Sequence, residues 1–283
     1  MSPKVTVLMT VYNGDAYLRD SINSILNQTF GDFEFLIIDD CSTDSSSSII
    51  QSFSDSCIKV VTNPVNLGQT RSLNLGLQLA QGEYVARQDQ DDISLPRRLK
   101  KQIAYLDDNP DIGILGTSAW IINGRGQYVA YLAKPTHPLE VLWSSLFANP
   151  FAHPSVMMRA KILRTNRLMY DAQFHYSQDY ALWCHFLKFS QGANLREPLI
   201  KYRIHNSNAS YTRAQAVTSE ARAISKQCLR EYFPEDALSE EQLHNFVSLF
   251  IVDSPLISNL QFDRAKLAMM YLDLFRLFAD RHP

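Results

Sequence analysis

Four short apolar runs alternate with stretches of helical periodicity over the first hundred residues, and that order leaves the chain few folds to choose from. Val5 to Met9 is apolar on both faces, as a strand covered on both sides must be. Leu18, Ile22, Ile25 and Leu26 then recur at helical spacing. Phe33 to Ile38 makes a second strand ending at Asp39-Asp40, Ser45 to Phe53 can form a helix, and Ile58 to Val61 makes a third strand. Leu73, Leu77 and Ala80 mark another helix before the strand that Tyr84 opens. A βαβαβαβ order predicts a parallel sheet with helices on both faces, because parallel neighbours need a crossover between them. Ligands collect at the carboxyl ends of such strands, here Thr10 to Asn13, Asp39-Asp40, Thr62-Asn63 and Asp89 to Asp92.

The last of these ends carries the most chemistry. Ala86-Arg87-Gln88-Asp89-Gln90-Asp91-Asp92 places three carboxylates in four positions directly after a strand. Hard oxygen ligands at a sheet's rim suit a divalent cation, Mn or Mg, and the phosphates it bridges, as in a nucleoside diphosphate. The same residues also make turns, and Asp92 or Ser94 is a good cap for the helix that follows. Pro96 suits the first turn of that helix, which carries Leu99, Ile103 and Leu106. Beyond it the pattern changes: Ile112 to Leu115 and Trp120 to Ile122 read as short strands, and Tyr128 to Leu132 pairs back across the Asn123-Gly124 turn. From about Thr212 the chain reads as helical, with Leu267, Met270, Tyr271, Leu274 and Leu277 on one stripe.

Charge and cysteine content narrow the partners. Lysine and arginine total 27 against 29 acids, so no basic excess argues for nucleic acid. Cys41, Cys57, Cys184 and Cys228 are far apart in sequence and read as free thiols of a reducing compartment. No basic leader precedes the first strand and no apolar run approaches a membrane span, so the expected location is the cytoplasm, with peripheral contact at the inner face of the membrane open. Arg97, Arg98, Lys100 and Lys101 form a basic run that reads as an exposed helix face or a lipid contact.

The ordered motifs resemble a known family. Val5 to Gly14, Ser24-Ile25-Leu26-Asn27-Gln28-Thr29-Phe30 and Glu34 to Asp44 are similar to the opening of family 2 glycosyltransferases with the GT-A fold. Asn66-Leu67-Gly68, Gly82-Glu83-Tyr84, Asp89-Gln90-Asp91-Asp92 and Pro96-Arg97-Arg98-Leu99 continue the pattern, which resumes at His153-Pro154-Ser155, Gln178-Asp179-Tyr180 and Tyr202-Arg203-Ile204-His205. The resemblance implies an α/β fold: a Rossmann-like, mostly parallel sheet flanked by helices, a mixed-sheet acceptor half and a helical C-terminal tail. It implies a nucleotide-sugar-binding half over 1–110, an acceptor-binding and catalytic-base half over 111–211, and a helical extension over 212–283.

Position by position, the resemblance gives Thr10, Tyr12 and Asp40 the base of a nucleotide sugar, Asp89 the ribose or donor sugar, and Asp91 the metal. His205 stands where such enzymes place a histidine near metal or diphosphate, and Arg71 is within reach of the diphosphate. Asp179 is the expected general base, in the first turn of a helix whose Leu182, Trp183 and Phe186 share its face. An acid there also answers the helix dipole. Family members usually carry Glu before this Asp, and this chain has Gln178, which removes one charge. The implied activity is metal-dependent transfer of a sugar, with inversion, from a nucleoside-diphosphate sugar to a glycan or lipid-linked hydroxyl, in assembly of a bacterial surface polysaccharide. A catalytically silent nucleotide-sugar-binding scaffold is the alternative. A metal-dependent phosphohydrolase is a third reading, against which Thr10 to Asn13 supplies no nucleophilic carboxylate.

Overall fold

The computed structural model describes residues 2–206, 208, 212–233, 238–243, 247 and 264–282. Strands and helices alternate as expected at first: β1 (Val5–Val11), α1 (Asp15–Leu26), β2 (Phe33–Asp39), α2 (Ser46–Gln51), β3 (Ile58–Thr62), α3 (Gln69–Leu79) and β4 (Tyr84–Gln88). The four strands run parallel in the order β3-β2-β1-β4. β1 pairs with β2 on one side and β4 on the other, so the strand order reverses between β1 and β4 and a crevice opens beyond their carboxyl ends.

The chain then passes through β5 (Ile93–Ser94), α4 (Arg98–Asp108), β6 (Ile112–Asn123), β7 (Tyr128–Leu132) and α5 (Pro138–Ser145). A 3-10 turn (His153–Ser155), β8 (Met157–Arg159), α6 (Ala160–Thr165), α7 (Gln178–Phe186) and β9 (Gln191–Ile204) follow. β8 joins β4 to β6 by antiparallel pairing on both edges, β6 and β9 run parallel, and β7 folds back on β6. The sheet is therefore parallel in its first half and mixed in its second. In the tail, helices span Ala214–Tyr232 and Arg264–Asp280.

Packing explains the order. β1 is buried along its whole length, and Leu18, Ile22 and Ile25 of α1 fill one face of the sheet with Val7, Met9 and Phe35. The other face is filled by Leu8, Leu36 and Ile38 against Leu73 of α3 and Trp183 and Phe186 of α7. Gly76 lets α3 lie directly on Leu8, because a Cβ there would overlap that side chain. Burying each of these large apolar side chains contributes roughly 1.5–3 kcal/mol.

Four expectations change. The two short strands at 112–115 and 120–122 are one twelve-residue strand, β6. Gly116, which interrupts its apolar pattern, leaves the room that Asn194 and Phe151 occupy. Pro96 precedes α4 instead of entering its first turn, and neither Asp92 nor Ser94 caps that helix: Arg97 is the N-cap, with no side-chain hydrogen bond. Arg98 does not belong to an exposed basic face. It is fully buried and donates to Gln102, Gln88, Ser94 and the carbonyls of Arg87 and Val156. On the last helix Leu274 and Phe278 are buried while Leu277 is exposed; the side chains of Leu267 and Met270 lie outside the described residues.

Candidate active site

A cleft of about 980 Å³ opens at the carboxyl ends of β1, β2 and β4, and it gathers Thr10, Tyr12, Asp40, Asp89, Asp91 and His205. Asp179 and Gln178, at the start of α7, line the same cleft. Arg71 does not: it is exposed on α3, while Gly68 and Gln69 at the head of that helix supply the lining.

At the β1 and β2 ends side chains hold the backbone in place. Thr10 is buried, and the Tyr12 ring is 45% exposed, with a face open to stacking. Gln90 grips the Tyr12 backbone from both sides, accepting from its N–H at 2.9 Å and donating to its carbonyl at 3.3 Å. Asp40 is buried and already engaged. Its Oδ1 accepts from Asn63 Nδ2 (2.7 Å) and the Leu67 amide (2.8 Å), and its Oδ2 from the Gly68 amide (2.8 Å). The carboxylate therefore pins the Asn66–Gly68 loop, where Gly68 takes φ +84°, and Oδ2 keeps one further lone pair.

The acidic segment after β4 is held by buried cations. Arg87 is fully buried, donates to the Leu8 carbonyl at 2.7 Å, to the Gln88 carbonyl and to His153 Nε2 at 3.2 Å, and pairs with Asp89. Arg203 on β9 donates to the Asp91 carbonyl (2.8 Å) and lies over the Tyr17 ring. Asp92 faces inward. Its Oδ1 takes the Arg203 amide at 2.7 Å, its buried Oδ2 has no hydrogen-bond partner among the described residues, and burial, then Asp91 and Asp89, push its carboxyl well above the usual range. It is a buried link between the segment and β9.

Asp91 Oδ2 stands 2.9 Å from His205 Nε2 and 3.2 Å from Asn208 Nδ2. Burial, then Asp89, raise the Asp91 carboxyl above its ordinary value, so the cluster is short of positive charge. Two ligands each about 2.1 Å from an octahedral cation and at right angles to it stand about 3 Å apart, the spacing of this pair. Among the described residues no group of three or more His, Cys, Asp or Glu side chains converges as a complete cage. The donor set fits a cation that takes two protein ligands and fills its remaining positions with phosphate oxygens and water.

The base end was less legible. Asp179 is half-buried; its Oδ1 accepts from the Tyr180 amide (2.8 Å) and its Oδ2 from Asn149 Nδ2 (2.7 Å). Lys134 donates to the Asn149 carbonyl at 3.0 Å; burial pushes its ammonium down to about 8, against the opposing pull of Asp179. Gln178 donates to Gln69 Oε1, and its own Oε1, buried in the cleft, has no hydrogen-bond partner among the described residues. The segment leading into α7 is tied to the tail: Glu220 of helix Ala214–Tyr232 accepts the amides of His175 (2.9 Å), Tyr176 (2.9 Å) and Ser177 (2.8 Å). His153 Nε2 also lies 3.0 Å from the Tyr170 hydroxyl, and burial, then Arg87, hold its imidazole below its usual value. It lines the cleft as a neutral group. Lys134, Asn149 and Glu220 lie in no quoted motif; only the fold brings them toward the site.

A parallel sheet with a mixed second half, an acid-x-acid segment at the reversal of strand order and a carboxylate on a facing helix define a GT-A-type glycosyltransferase. The glycosyl transferase family 2 profile matches residues 6–167, and the chain belongs to that family. A glycosyltransferase of Haemophilus influenzae is 32% identical over 240 residues, covering 81% of this chain and 74% of that protein. The O-antigen biosynthesis glycosyltransferase WbnJ of Escherichia coli is 36% identical over 211 residues, covering 72% and 81%. Among solved structures, S. aureus TarS 1-349 in complex with UDP-GlcNAc superposes with a TM-score of 0.68 at 20% identity, covering 87% of this chain and 71% of that one. The mannosyltransferase PcManGT of Pyrobaculum calidifontis, in complex with GDP-Man and Mn2+, gives 0.61 at 18% identity, covering 88% and 70%. Among the described residues no helix is long and apolar enough to cross a membrane.

Proposed function

We propose that this glycosyltransferase moves a sugar, with inversion, from a nucleoside-diphosphate sugar to a hydroxyl of a glycan or lipid-linked acceptor during assembly of a surface polysaccharide. The observation that carries the reading is the sharing of one cleft by the Asp91–His205 pair and by Asp179. Tyr12 stacks on the nucleotide base, Asp40 accepts from a base N–H, and Asp89, held by Arg87, meets the ribose or donor sugar. Asp91 and His205 would hold a divalent cation, Mn or Mg, which would supply positive charge against the diphosphate. Asp179 takes the proton of the acceptor hydroxyl as its oxygen bonds to the anomeric carbon. The bond from that carbon to the phosphate oxygen breaks on the opposite side, and its electron pair leaves with the diphosphate. A carboxylate in this place keeps proton transfer open although Gln178 is neutral. The bound donors of the TarS and PcManGT structures and the O-antigen biosynthesis role of WbnJ support the substrate class.

The test is a thermal-shift panel of UDP, GDP, CDP, dTDP and their sugars, each with Mn, Mg or chelator. A ligand at a hundredfold over its Kd stabilises the native state by about 2.7 kcal/mol. The expected result is a shift with one base that requires the cation; absence of any shift across the panel overturns the donor assignment.

A further inference from the structure

We propose that Lys134 and Asn149 are positioning residues for the base, Asn149 fixing the orientation of the Asp179 carboxylate and Lys134 supplying the positive charge against which its negative charge is held. The proposal rests on the reading of Asp179 as the base. Three observations carry it. Asn149 joins the other two side chains, donating through Nδ2 to Asp179 Oδ2 at 2.7 Å and accepting from Lys134 Nζ at its carbonyl, 3.0 Å away. All three residues line the cleft. Lys134 is partly buried there, its ammonium held by the Asn149 carbonyl, and Asp179 favours its charge against the effect of burial. The Asn149 side chain is itself locked, since its Oδ1 accepts the Phe151 amide at 3.1 Å.

Other ionisable groups around Asp179 do not supply that charge. His153 and Tyr170, behind the 3-10 turn, are kept neutral by burial. Arg87 spends its guanidinium on Leu8, Gln88, Asp89 and His153. Glu220, on the tail helix that packs on α7, is negative and occupied by the amides of residues 175–177. Tyr180, the neighbour on α7, gives its hydroxyl to the Ser145 carbonyl of α5, and burial pushes its proton affinity up. Cys184, on the same face, is a buried neutral thiol. Lys134 is the cation placed to act.

The experiment measures nucleoside-diphosphate release from UDP-glucose and GDP-mannose, with Mn2+ present and water as acceptor, against pH for wild type, Lys134→Gln, Lys134→Arg, Asn149→Asp and Asp179→Asn. Lys134→Gln is expected to move the acid limb of the rate profile up, the direction in which removing an opposite charge near a carboxylate acts. Donor affinity stays within about twofold, and Lys134→Arg restores the wild-type limb. Asn149→Asp, close in shape, sets a second carboxylate against Asp179 and moves the same limb up, which tests the proposal even where Lys134→Gln does not fold. An inactive Asp179→Asn beside wild-type limbs in the Lys134 and Asn149 variants overturns this proposal alone. A fully active Asp179→Asn overturns the base reading and the proposal with it.

Discussion

Replacing Glu220 by alanine tests whether the tail helix organises the start of α7, where the proposed base Asp179 stands. The carboxylate accepts three consecutive amides immediately before α7, doing for residues 175–177 what a side-chain cap does for a helix start. Ser177 is the buried one, and its N–H, deprived of a charged acceptor, costs about 1.5–3 kcal/mol. The amides of the exposed His175 and the half-buried Tyr176 turn to water, and their loss together with that of a negative charge near a helix N-terminus adds about 1 kcal/mol. The total is about 3 kcal/mol. With an unfolding entropy of roughly 2.1 cal/mol/K for each of 283 residues, the midpoint falls by about 5 °C. Thermal unfolding followed by circular dichroism reads the shift, and the turnover number reads the consequence at Asp179. Glu220→Ala is expected to lower kcat about tenfold while donor affinity, set at the far end of the cleft, stays within about twofold. Glu220→Gln, which keeps an oxygen acceptor, lies between. A midpoint within about 1 °C of wild type together with unchanged kcat refutes the argument.

Three further outcomes follow from the site. Arg87→Met leaves two buried carbonyls and the Asp89 carboxylate without their donor, and chemical denaturation is expected to show a loss of about 3–5 kcal/mol. Asp91→Asn removes a charge from a crowded acidic cluster, so the metal-free protein is expected to keep its melting midpoint or gain slightly while the Mn2+-dependent donor shift disappears. For His153 the folded-state value lies below the ordinary 6.5, so the unfolded chain binds more protons in the interval between the two. Its contribution to stability is complete above pH 6.5 and declines as pH falls through that interval. His153→Gln is expected to flatten that part of the stability profile in thermal scans from pH 7.5 to 5.5, and an unchanged slope counts against the assignment.

The donor half of the site was legible because local sequence and fold agree there. A parallel strand delivers whatever follows it to the crevice, so Thr10, Tyr12, Asp40, Asp89 and Asp91 reach the cleft with little dependence on the rest of the chain. His205 reached it through the resemblance, and its place is fixed by the pairing of β9 with β6. Arg71 failed for a local reason: two residues after Gln69, the helical turn carries its side chain away from the lining. Lys134, Asn149 and Glu220 were silent because each acts through partners distant in sequence. Asn149 lies 30 residues from Asp179, and Glu220 lies 43 from Ser177. β6 was read as two pieces because a glycine that admits Asn194 and Phe151 looks, in sequence, like an interruption.

The most direct test of the account separates holding the donor from transferring the sugar. Asp179→Asn keeps the shape of the side chain and removes its basicity, and a positioned general base contributes about 10²–10⁴ in rate. With the donor found by the thermal-shift panel and Mn2+ present, the account predicts a donor dissociation constant within about twofold of wild type and a turnover number lower by at least a hundredfold. Wild-type turnover in Asp179→Asn would contradict it.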